Sequence, residues 1–71
     1  MPFVVTWRYC DGPYRIDTLK GAWSWSLEQW IEKAARTHFE QQGWTQEEIE
    51  VTVADLLQFG DWEVVSVTFL L

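Results

Sequence analysis

The chain has 71 residues, 48% of them hydrophobic, with six Trp, one Cys, one His and a formal net charge of −6. That length makes one small domain with a thin core, which buries only about 60% of the surface its unfolded chain exposes; a lone Cys excludes an internal disulfide, and Cys10 with His38 is too few soft ligands for a structural zinc site. The acidic balance disfavours direct contact with nucleic acid, whose affinity comes mainly from neutralising phosphates, and no run approaches the ~20 apolar residues that cross a bilayer.

Residues 3–9 alternate, with Phe3, Val5, Trp7 and Tyr9 on one side and Val4, Thr6 and Arg8 on the other, the period of a half-buried strand. Asp11-Gly12 suits the two central positions of a type I′ turn, and Pro13 can open an edge strand. A loop at Asp11-Gly12 would set Tyr9 against Tyr14 and Trp7 against Ile16, with the second strand running from about Tyr14 to Leu19. Lys20-Gly21-Ala22 is a break. Ser26 then reads as an N-cap, with Gln29 closing a capping box. Leu27, Trp30, Ile31, Ala34, Ala35, His38 and Phe39 recur at helical spacing, while Glu28, Glu32, Lys33, Arg36 and Glu40 form the opposite face. Gly43 is a natural residue for ending that helix, and Trp44 can fold back on its last turn.

Residues 45–59 fit two readings. Ile49, Val51 and Val53 alternate with Glu50 and Thr52 as in a strand. Thr45 with Glu48 makes a second capping box, however, and that box together with the Ala54–Gln58 run favours a helix ended by Gly60-Asp61. Residues 62–70 are β-prone, with Val65, Val67 and Phe69 on one face and Trp62, Val64, Ser66, Thr68 and Leu70 on the other. Apolar residues on both faces suggest a central strand or one whose second face is covered. The order predicts an α+β fold, ββα(α)β, with a three-stranded sheet, helices on one face, and the C-terminal strand beside the first. Tyr14, Ile16, Leu27, Trp44 and Val65 are expected in the core together with the residues of the two helical stripes.

No catalytic motif is present. His38 lies on the buried stripe of the first helix and reads as a core-edge histidine; Cys10 has no cationic setting to activate it. Glu47, Glu48 and Glu50 at a helix start are accounted for by the helix dipole and solvation rather than acid–base chemistry. The chain therefore reads as a non-enzyme with no cofactor. The absence of a recognisable signal peptide and the single thiol favour the cytoplasm, or a host's cytoplasm if the chain is phage-encoded.

Charge gives the functional expectation. Residues 1–36 hold five cations against four acids, about +1, whereas residues 37–71 hold seven acids and no Lys or Arg, or −7. An acidic surface can occupy a groove shaped for a polyanion and associate fast. Trp23, Trp25 and Trp62 exceed what so small a core needs, and Trp is the residue most enriched in binding hot spots. The expected partner is a larger protein with a basic or nucleic-acid-binding surface, met by Glu47, Glu48, Glu50, Asp55, Asp61 and Glu63 with Trp23, Trp25 and Trp62 as anchors. In size and charge the chain resembles the compact acidic inhibitors of phages and mobile elements, anti-CRISPR types among them. The alternative is a structural subunit or homodimer, joined through spare apolar residues of the last strand.

Overall fold

Phe3, Val5 and Trp7 alternate with Val4, Thr6 and Arg8 along strand β1 (Pro2–Tyr9), and the first three are fully buried. In the computed structural model, which describes Met1–Leu71, β1 pairs antiparallel with β2 (Arg15–Lys20). The turn is of the expected kind but lies one residue earlier. Gly12 N–H donates to the Tyr9 carbonyl at 2.9 Å, and the positive φ values fall on Cys10 and Asp11. Gly12, Pro13 and Tyr14 then intervene before the ladder resumes, and Pro13 has no N–H to give it. Trp7 consequently pairs with Arg15, not Ile16.

That one-residue slip turns every β2 side chain over. Arg15, Asp17 and Leu19 face inward, Leu19 joins the core, and Ile16 is left 72% exposed. The inward Asp17 accepts a 2.7 Å hydrogen bond from the Trp7 indole N–H. Tyr14 and Ile16, both expected inside, are outside.

Helix α1 (Leu27–Gln41) starts at the Ser26–Gln29 capping box and buries Trp30, Ile31, Ala34, Ala35 and Phe39. Leu27 is exposed, because the first helical residue projects beyond the sheet-covered stripe. Gly43 takes φ 83°, and Trp44 N–H bonds to the Phe39 carbonyl at 3.1 Å, which lays the Trp44 ring on the Phe39 ring. Residues 46–59 are helical: α2 (Gln46–Phe59) runs from the Thr45–Glu48 capping box to Gly60 in the left-handed conformation, and buries Ile49, Val53 and Leu56.

Strand β3 (Trp62–Phe69) pairs antiparallel with the other edge of β1, giving the order β2-β1-β3. It is an edge strand, not a central one. Its two apolar faces come from a bulge: Trp7 pairs with Val64 and Thr6 with Ser66, leaving Val65 without a partner. Trp62, Val64, Val67 and Phe69 thus face inward, while Val65, expected with Val67 and Phe69, stands 54% exposed. Both helices contribute to a single core with the inner sheet face, and nothing covers the outer face.

Candidate interaction surfaces

The two caps that end α1 and begin α2 bring an aromatic ring beside a carboxylate-bearing turn. Trp44 stacks on Phe39 with centroids 4.2 Å apart and planes 11° from parallel, yet stays 39% exposed. Together with Glu47, Glu48, Val51 and Thr52 it lines a shallow depression of about 470 Å³. Glu47, Val51 and Asp55 follow at four-residue spacing on the outward side of α2, and Val51 is 59% exposed.

The carboxylates of this region are not equivalent. Glu48 accepts hydrogen bonds from the Thr45 backbone N–H and from its hydroxyl, both at 2.9 Å, and these hold its pKa below the usual range. Glu50 is lowered by its two-pronged bond to Arg36, at 2.8 and 3.2 Å, and Arg36 also reaches Glu32 at 4.0 Å. Glu63 points from the outer sheet face, where Arg8 meets it at 3.1 Å and the Tyr14 hydroxyl donates to it at 2.9 Å. That bond raises the Tyr14 pKa, and the Arg8 guanidinium lies 4.7 Å above the Tyr14 ring. First-half cations therefore neutralise two of the second-half acids. No ion pair reaches Glu47, Asp55 or Asp61. Asp61 lies between α2 and β3, where its carbonyl accepts from Cys10 N–H at 2.9 Å.

The three Trp expected as anchors differ. Trp23 is 67% exposed, with its edge on Phe3 at 5.0 Å. Trp25 is half-buried against Trp30 at 4.7 Å. Both line a small depression of about 190 Å³ whose lining is wholly hydrophobic. Trp62 is half-buried, opposite Tyr9 on the inner face. Trp23 and Trp25 precede α1 whereas Trp44 and the first acids of α2 follow it, and this 15-residue helix is about 22 Å long. The sequence candidates thus occupy separate places: Glu47, Glu48, Glu50 and Asp55 share α2, whereas Trp62 and Glu63 share β3 but point to opposite faces of the sheet. Sequence reasoning passed over Trp44 and Val51. The available signal was a ring directly after a helix-ending glycine, which can cover the last turn with only one of its faces.

A polar seam runs under the β2 edge. His38 stands edge-on to Trp7 at 6.0 Å, tilts against Tyr9 at 5.9 Å and lies beside Phe39. Burial, and then the Arg15 charge, push its pKa below the ordinary value, against a smaller opposing pull from Asp17. No group of three or more His, Cys, Asp or Glu side chains is placed to hold a metal ion, and no helix is long and apolar enough to cross a membrane. No protein-family model, curated protein or solved structure matches this chain.

Proposed function

We propose that this protein is a small acidic, non-enzymatic binding module that docks on a basic surface of a larger protein, of the kind that holds nucleic acid, and inhibits it by occupying that surface. The observation that supports this most is the outward face of α2. There Glu47 and Asp55 have no cation partner, Val51 is exposed between them, and the open face of Trp44 closes one end. A Lys or Arg side chain laid in that depression would meet a π face and the Glu47 and Glu48 carboxylates, with Asp55 one turn further along α2, a pairing worth about 0.5–2 kcal/mol from the cation–π contact alone. The free carboxylates steer the encounter; the ring and the valine supply apolar contact that outlasts it.

The test is affinity capture from the native host with the immobilised protein, read with salt, with competing duplex DNA and with substitutions. Partner retention should fall as salt rises, should be displaced by the duplex, and should be lost in Glu47→Lys/Asp55→Lys. Val51→Ser separates contact from steering by leaving the charge of the face unchanged, and it too should weaken retention. Retention indifferent to salt, duplex and all of these substitutions would sink the reading.

A further inference from the structure

We infer that the uncovered face of the sheet is a self-association surface, on which a second copy of this chain packs sheet against sheet. The inference does not rest on the α2 reading. The face follows from the register: Val4 and Thr6 of β1, Ile16 and Thr18 of β2, and Val65, Ser66 and Thr68 of β3 all point away from the helices. Ile16 is 72% exposed and Val65 54%. β-branched side chains on a pleated surface are the material from which stacked sheets are made. Burying such side chains recovers free energy in proportion to the apolar area removed from water.

Charge identifies the occupant. The ionised strand side chains on this face are Arg8, Lys20 and Glu63, and Arg8 and Glu63 neutralise one another at 3.1 Å. The face is thus +1 on a molecule whose formal charge is −6, so the remainder carries −7. Two copies meeting through the α2 side would oppose carboxylate to carboxylate. Meeting back to back keeps those groups apart and sets one near-neutral β-branched surface against its equal. A basic partner finds no free carboxylate here, and an acidic one finds only Lys20. A two-fold contact needs a self-complementary patch, and this is the patch with little charge of its own to repel its copy.

Two bodies of charge −6 repel as they approach, so salt should tighten this association, opposite in sign to docking by carboxylates. Sedimentation velocity across a dilution series, at low and high salt, tests it. The wild type should show a concentration-dependent dimer favoured by salt. Ile16→Glu and Val65→Glu should each weaken it about tenfold or more, the cost of placing a carboxylate in an apolar contact. Val51→Glu, on the α2 side, should leave it unchanged. Both sheet positions are exposed in the monomer, so circular dichroism should show the fold retained, and Thr6→Arg on the central strand is an independent probe of the same face. A wild type that stays monomeric throughout overturns the inference. So does a dimer that survives the sheet-face substitutions, as edge-to-edge pairing of β2 or β3 would, and so does one lost equally in Val51→Glu.

Discussion

Gly21 is glycine for reasons of space. A Cβ there would overlap the Trp30 ring and stand 2.9 Å from Cε3 of Trp25, and Trp30 is buried and has no room to retreat. Gly21→Ala should therefore lower stability by about 1–3 kcal/mol, read from urea unfolding, the range for overpacking a close-fitted core. His38 makes a prediction of another kind. Its folded pKa lies below the ordinary 6.5, so the unfolded chain takes up the proton first as pH falls. Its contribution is complete above 6.5 and is lost as pH drops through that value towards the folded pKa. Urea midpoints on the two sides of 6.5 should show the loss, and His38→Gln should remove that part of the dependence.

At the level of elements, the caps are the local instructions that made the two helices readable. Ser26 with Gln29 and Thr45 with Glu48 both form reciprocal boxes in the structure, and the second box decides helix over strand for residues 46–59. Thr45→Ala should cost about 1 kcal/mol and reduce helicity by circular dichroism, since it removes the acceptor for Glu48 N–H. The strand order was legible too, because a hairpin leaves one edge of β1 free. The alignment of the strands was not. Ile16 looked like a better inward residue than Arg15 or Asp17, and apolar alternation alone selects the wrong register. What favours the observed one is non-local: an acid for the Trp7 indole and a place for Leu19 in the core, against which Ile16 is left out. The bulge at Val65 was hidden for a similar reason, since a run of valines reads equally well in either phase. The candidate acids of α2 could be read from charge, whereas the exposed ring beside them depended on how Trp44 settles on Phe39.

For the molecule as a whole, the sequence asymmetry of charge is partly repaired by folding. Arg36 reaches Glu50 and Arg8 reaches Glu63, but no cation meets Glu40, Glu47, Glu48, Asp55 or Asp61. Self-repulsion among the remainder should outweigh exposed pairs, which are worth about 0–1 kcal/mol each, so adding salt should raise the melting temperature. A fall on adding salt would mean that the Arg36 and Arg8 pairs dominate. Placing both helices on one side of the sheet also has a geometric consequence. A molecule with such a front and back, once doubled through its back, would present two fronts turned in opposite directions. Such a pair could not grip one flat target with both heads; it would bridge two targets, and its gain from being bivalent would appear only where those targets can come to either side of it.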